Sequence, residues 1–207
     1  KSKICVGTPV RSQFLEALNQ APSLADLGIP DQVPVVLVVG GSQGAVAVNK
    51  LVRQAAPAWL EAGAWVVHLT GDLDPEVNAL SHPHYIHKPF YDNMAALFQR
   101  ATLAVSRAGA GTLAELSVTG TPSILIPYPF AAEDHQTYNA RVFETAGAAI
   151  VYPQSSLSVA TLQNQVLDWL RSPDLLQPFA EATCQLAVTD SAEKLASLIR
   201  QVLANGV

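Results

Sequence analysis

Charge is scarce in this chain. Of 207 residues only 14% are Asp, Glu, Lys or Arg, while 49% are hydrophobic; an ordinary domain carries nearer a quarter charged. The shortage fits a sheet covered on both faces, or a face meant for another domain. Basic residues are fewer still, 12 Lys plus Arg against 17 Asp plus Glu. No basic stripe exists, which speaks against a nucleic-acid binder. Cysteine is nearly absent: Cys5 and Cys184 share no motif, which suits a reducing compartment and argues against a structural metal. No apolar run approaches the length of a bilayer span. Two phosphate-loop signatures are missing as well. Without GxGxxG after the first buried strand a dinucleotide dehydrogenase is disfavoured, and without a Walker lysine so is an ATPase. The chain opens KSK, with no Met, directly before a short apolar segment; this predicts a piece of a longer protein.

What is present is a regular alternation of strand and helix in one domain, or one domain with an appended piece. Expected strands are Ile4–Val6, Val35–Val39, Trp65–Leu69, Tyr85–His87, Leu103–Val105, Ser123–Ile126 and Ala149–Val151. Expected helices are Ser12–Leu18, Ala45–Leu60 (with a bend near Pro57), Glu76–Leu80, a helix capped by Asp92 and running through Arg100, Thr112–Thr119 and Asp134–Ala146. Helices alone follow: Val159–Leu170, a segment from Pro173 to Cys184, and Ser191–Leu203 capped by Asp190. The apolar run Val35–Val39 reads as a strand buried on both faces. The pattern predicts an α/β fold, an open parallel sheet with helices on both faces. In such sheets ligands sit beyond the C-terminal strand ends.

Three strand ends carry chemistry. Gly40-Gly41-Ser42-Gln43-Gly44 lets backbone approach a ligand, with Ser42 or Gln43 as donors to a phosphate or sugar oxygen, although a plain tight turn would look the same. Leu103–Gly120 is more telling: a strand, Ser106 and Arg107, the turn Gly109–Gly111, then Thr112 opening a helix that carries Glu115. Helix-start N–H groups and a hydroxyl suit a phosphate, whereas a carboxylate nearby suits a vicinal diol such as a ribose. Glu115 read as a first-turn carboxylate would instead only complement the helix dipole. Arg107 either neutralises a diphosphate or pins the loop through a local carboxylate. At the third end, after Pro127-Tyr128-Pro129-Phe130, the residues Glu133, Asp134, His135, Gln136 and Asn139 can read sugar hydroxyls, while Asp134 also suits an N-cap. His135 lacks a nucleophile to serve. His82, His84 and His87 span a Pro loop and a strand, a poor metal geometry. Phe90 and Tyr91 are placed to wall a base pocket, and Arg11 to reach a phosphate or a second domain; Trp65 and Tyr85 belong to the core. Phosphate donors, a diol acceptor and hydroxyl readers, without a base, nucleophile or metal set, describe half of an active site that grips a nucleotide-activated sugar.

The runs GTPVR (Gly7–Arg11), VVLVVGGSQGAVAVN (Val35–Asn49), HKPFYDNMAALF (His87–Phe98), SRAGAGTLAEL (Ser106–Leu116) and the stretch from Ile126 to Ala149 closely resemble the MurG family of bacterial peptidoglycan glycosyltransferases. The resemblance covers nearly all of the chain, most strongly residues 7–151. It implies the C-terminal, donor-binding half of a GT-B enzyme, Rossmann-like, inactive by itself and needing no metal or other cofactor. The family transfers N-acetylglucosamine from UDP-N-acetylglucosamine to lipid I with inversion, giving lipid II, at the cytoplasmic face of the membrane. Lipid I would be held by the N-terminal domain, which this chain lacks. Carried over by motif, the donor-binding residues are Arg11, Ser42, Gln43, Tyr91 (a backbone reader of uracil whose side chain would reshape the base pocket), Ala110, Gly111, Thr112, Leu113, Ala114, Glu115 (on the ribose), Gln136 (facing the sugar) and Asn139. Residues 157–207 would pack on the sheet and reach toward the N-terminal domain. Alternatives are another UDP-sugar transferase of this fold, a UDP-sugar 2-epimerase with Glu133 and Asp134 as acid/base groups, or a nucleotide-sugar-binding module.

Overall fold

The computed structural model describes residues 4–41 and 45–204. Six parallel strands form one sheet: β1 (Val35–Val39), β2 (Trp65–Leu69), β3 (Tyr85–Lys88), β4 (Leu103–Ser106), β5 (Ser123–Leu125) and β6 (Ala149–Val151). Their order is β3-β2-β1-β4-β5-β6, the doubly wound arrangement whose direction reverses between β1 and β4. The helices are α1 (Ser12–Ala17), α2 (Val46–Glu61), α3 (Met94–Arg100), α4 (Ala110–Thr119), α5 (His135–Thr145), α6 (Val159–Arg171), α7 (Gln177–Gln185) and α8 (Ser191–Ala204).

Alternation along the strands sorts the core into two layers. Val35, Leu37 and Val39 face one layer with Phe14, Leu97, Phe98, Leu116 and Phe143 from α1, α3, α4 and α5. Val36 and Val38 face the other with Val48, Val52 and Trp59 of α2 and Leu162, Val166 and Trp169 of α6. All five β1 residues are buried, which is why the strand shows no polar alternation and why so few charges suffice. The Trp59 indole N–H donates to the Gln163 carbonyl at 3.2 Å, tying α2 to α6. On α7 the Thr183 hydroxyl donates to Ala148 O at 3.0 Å. The last helix is different. Leu195, Ile199, Val202 and Leu203 on α8 are all exposed, an apolar stripe at helical spacing. Among the described residues no helix is long and apolar enough to cross a membrane.

Several local expectations are corrected. Residues Ile4–Val6 form no strand. Their neighbour Gly7 lies against Val188 and Ser191, in and after the α7–α8 connection, and Ile4 is exposed. Glu76–Leu80 makes a turn, with one Ala79 N–H to Glu76 O bond of 2.9 Å; so short a segment does not repay helix nucleation. Asn93, not Asp92, caps α3, its Oδ1 accepting from Ala96 N–H at 3.3 Å. Helix α4 starts at Ala110 with Gly109 at the cap, so Thr112 is its third residue and no acidic group lies in its first turn. Helix α2 continues from Val46 to Glu61 through Pro57.

Candidate functional site

The segments after β1, β2, β4, β5 and β6 converge on a cleft of about 530 Å³ lined by Gly40, Gly41, Leu73, Arg107, Tyr128, Gln136 and Gln154 among others. It sits at the β1/β4 reversal, where parallel sheets open a crevice. Gly41 has φ +90°, a conformation that a residue with a Cβ resists. Ser42 and Gln43, expected donors in the same turn, lie outside the described residues.

Arg107 holds the floor of the cleft. It is buried, and Nη1 donates to the carbonyls of Ile126 and Pro127, both at 3.0 Å, while Nη2 donates to Gln154 Oε1 at 2.6 Å. Its guanidinium carbon lies 5.4 Å from the Tyr128 ring centroid. Burial pulls its pKa down from the ordinary value, and Tyr128 works the other way; an arginine stays charged regardless. Of its two expected roles the loop pin is the one observed, made through carbonyls and an amide instead of a carboxylate.

Gln136, at the start of α5, takes the backbone N–H groups of Ala108 (3.2 Å) and Tyr128 (3.0 Å) on its Oε1, joining the β4 and β5 loops beside the cleft. Asn139, one turn on, donates to Ala108 O at 3.1 Å. It lines a separate hollow of about 330 Å³ with Ala110, Leu113 and Ala114. Leu113 is otherwise a core residue. At the head of α4, Gly109 supplies no side-chain cap. The N–H groups of Ala110, Gly111 and Thr112 therefore have no partner within the helix, an arrangement ready for an anion.

Glu115 meets Arg11 across the domain. Arg11 Nε and Nη2 lie 3.0 and 2.8 Å from the same oxygen, Oε1, and the guanidinium rests 5.0 Å from the Phe14 ring centroid. Burial raises the Glu115 pKa, and Arg11 opposes that rise. These two expected site residues are brought together.

Tyr91 corrects an expectation. Its ring is buried and its hydroxyl bonds both Asp26 oxygens at 3.0 Å; burial, then Asp26, pushes the phenol up to about 12. The side chain points into the core and does not shape a base pocket, which leaves only its backbone available there. Phe90 stays exposed. Glu133 and Asp134 both adopt left-handed backbone, φ 51° and 53°, which is costly for residues with a Cβ. In that conformation Asp134 accepts from the Thr137 hydroxyl at 2.6 Å and caps no backbone N–H. His135 bonds Ala132 O at 2.8 Å and stays exposed. His84 stacks on Trp65, which is thereby half-buried, at 4.6 Å. Among the described residues no group of His, Cys, Asp or Glu is arranged to hold a metal.

Residues 35–201 match the family model described as the glycosyltransferase family 28 C-terminal domain. The chain belongs to that family. Among curated relatives, a protein of Trichormus variabilis is 65% identical over 202 residues, 98% of this chain and 56% of that protein. One of Nostoc punctiforme is 62% identical over 200 residues, 97% of this chain and 56% of that one. Both are named UDP-N-acetylglucosamine–N-acetylmuramyl-(pentapeptide) pyrophosphoryl-undecaprenol N-acetylglucosamine transferase. This family 28 chain thus spans little more than half the length of the relatives it matches. The crystal structure of MurG from Acinetobacter baumannii is similar with a TM-score of 0.72 and 29% identity, over 87% of this chain and 54% of that one.

Two parts of this family 28 domain escaped the motif reading. Gln154 reaches the cleft from the turn after β6. A buried network also joins α2 to β2 and β3. Arg53 is paired with both oxygens of Asp74 at 2.6 and 3.0 Å, and Asn49 donates to Asp74 and to Thr70 O. Asn49 Oδ1 then faces His68 Nε2 at 3.0 Å, and His68 Nδ1 faces the Tyr85 hydroxyl at 2.8 Å. Since the Asn49 amide donates on one side, its oxygen must accept on the other, so Nε2 carries the hydrogen and Nδ1 accepts from Tyr85. Burial first, then Arg53, lowers the His68 pKa to about 3. The signal for this cluster was Asn49 and Arg53, polar residues four apart on an otherwise apolar helix face.

Proposed function

We propose that this chain is the UDP-N-acetylglucosamine-binding half of an inverting glycosyltransferase that converts lipid I to lipid II. One observation carries the reading: uncapped N–H groups at the head of α4 and the half-buried carboxylate of Glu115 share one helix, and that helix follows β4, one of the two strands at the sheet reversal. The first suits a diphosphate and the second a ribose diol. In this reading Ala110, Gly111 and Thr112 hold the diphosphate, and Glu115 takes the ribose hydroxyls. The Tyr91 backbone reads uracil, Gln136 faces the sugar, and Arg11, Ser42, Gln43, Leu113, Ala114 and Asn139 complete the donor site.

The names borne by relatives 65% and 62% identical over nearly the whole chain favour this transferase over a UDP-sugar epimerase. Departure of UDP is assisted by helix-end N–H groups that meet the developing charge, so this half supplies electrostatic stabilisation without a metal. The acceptor lipid and the base that deprotonates its hydroxyl belong to an N-terminal domain, toward which residues 157–207 reach with the apolar stripe of α8. That enzyme would work peripherally at the cytoplasmic face of the membrane.

Calorimetric titration with UDP-N-acetylglucosamine, UDP-glucose, UDP and GDP-mannose tests the reading. Uridine-specific binding with preference for the N-acetylated sugar is expected. Equal affinity for GDP-mannose, or no uridine-nucleotide binding with the N-terminal half restored, would overturn it.

A further inference from the structure

Two glutamines line the main cleft, and the oxygens of both are committed. Gln136 Oε1 accepts from two backbone N–H groups. Gln154 Oε1 accepts from the Arg107 guanidinium at 2.6 Å. A guanidinium only donates, so the Gln154 carboxamide cannot be flipped without setting donor against donor. Its orientation is therefore fixed by the strongest kind of hydrogen bond a neutral amide makes. Neither Nε2 group has a hydrogen-bond partner among the described residues, and both residues line the cleft. Arg107, whose three acceptors all come from the protein, is the anchor that aims Gln154.

We propose that Gln154 is a donor-substrate contact: its Nε2 group, aimed by Arg107, gives a hydrogen bond to an acceptor oxygen of the nucleotide-sugar. This rests on the nucleotide-sugar reading above. The matching ligand group is an oxygen that accepts, from the diphosphate, the sugar hydroxyls or an acyl carbonyl. With Gln136, whose oxygen already accepts two backbone N–H groups, it forms a cleft wall whose unpartnered groups are mainly N–H donors. Such a wall favours acceptors, because a ligand presenting only donors there would leave both Nε2 groups unpaired.

Gln154→Glu is the informative change. A carboxylate still accepts from Arg107, now as an ion pair, so the loop stays pinned and thermal stability should equal or exceed that of the native chain. What the variant loses is the donor. Gln154→Met removes the donor without adding charge. We expect both variants to bind UDP-N-acetylglucosamine at least tenfold more weakly than native by calorimetry, with the Gln154→Glu loss persisting at high salt.

Titration with UDP alone locates the contact. Equal losses for both ligands place it on the diphosphate; a loss confined to UDP-N-acetylglucosamine places it on the sugar. Native-like affinity in Gln154→Met overturns the proposal. So does a Gln154→Glu effect that salt abolishes, which would mark a field effect only. If the chain binds neither ligand even with the N-terminal half restored, the site reading itself fails and this inference falls with it.

Discussion

Arg11 gives two N–H groups to a single oxygen of Glu115, and no described residue bonds Oε2. The carboxylate is mostly shielded from water, whereas Arg11 is nearly half exposed, with 14% and 45% of their side-chain surfaces accessible. Burial alone would push Glu115 toward its neutral form, and Arg11 works against that. Under the proposed reading, a ribose diol at Glu115 would meet one oxygen that no described residue bonds and another held by a half-exposed cation.

Replacing Glu115 with Ala should weaken UDP binding by about 1–3 kcal/mol, the range for a hydrogen bond to a charged group together with the partner left unpaired. Calorimetry on a variant with native circular dichroism checks it. Unchanged affinity would remove Glu115 from the site.

Arg11→Gln should make UDP binding pH-dependent. Without the guanidinium the Glu115 pKa climbs further above its ordinary value. Because the diol needs the ionised carboxylate as acceptor, affinity falls as pH drops through that raised value. Arg11 is exposed enough for solvent screening to keep the effect to a few-fold. Parallel titrations at acid and neutral pH decide it: a ratio equal to that of native would separate Arg11 from the ionisation of Glu115.

His68 makes the fold acid-sensitive. The folded state holds it neutral, with its pKa lowered to about 3 from 6.5, so below pH 6.5 the unfolded chain binds a proton that the folded one refuses. Stability is fully present above 6.5 and is lost at about 1.4 kcal/mol per pH unit as pH falls toward 3. Burial pushes Asp74 up, but Arg53 and the hydrogen bonds from Glu76 and Asn49 outweigh it and hold the carboxyl below its ordinary 3.8, which adds a loss of the same sign at lower pH. In His68→Gln, urea unfolding between pH 6.5 and 4 should lose the histidine part of that slope. A slope identical to native would place the sensitivity elsewhere.

Much of this architecture was legible because it is local. The unbroken apolar run of β1 and the Gly turns after β1 and β4 gave strand, layer and crevice from sequence alone. Misreadings came where a distant partner decides. Ile4–Val6 has strand-like composition, yet its segment forms no strand and runs beside the α7–α8 connection. Asp92 and Asn93 are both good caps, and one residue of register chose between them. Tyr91 looked ready for a base pocket until Asp26, 65 positions earlier, claimed its hydroxyl. Gln154 and Asp74 stand beside no motif; only the fold sets them against Arg107 and Arg53.

Asp74→Ala should destabilise the chain by about 3 kcal/mol or more, because the Arg53 guanidinium would remain buried without its counter-charge. Asp74→Asn, which keeps one acceptor for Arg53, should cost less. Chemical denaturation of the two variants tests the order, and an Asp74→Ala stability within 1 kcal/mol of native would show that Arg53 escapes to solvent.

Gly120 and Gly147 both follow a helix, at φ +65° and +70°, yet their surroundings differ. A Cβ on Gly120 would lie 2.5 Å from the Cys184 sulfur on α7, while one on Gly147 meets nothing within 4 Å. Left-handed backbone costs an alanine about 1–2 kcal/mol at either position. At Gly120 the contact adds an overpacking term of up to about 1–3 kcal/mol, since the Cys184 side chain must rotate away or α7 must shift from α4. Gly120→Ala should therefore be clearly the less stable variant in urea denaturation. Gly120→Ala in a Cys184→Ala background should recover much of the difference, because the sulfur that the new methyl meets is gone. Equal losses at both glycines would mean that backbone conformation alone sets the cost and that the Cys184 side chain or α7 yields freely.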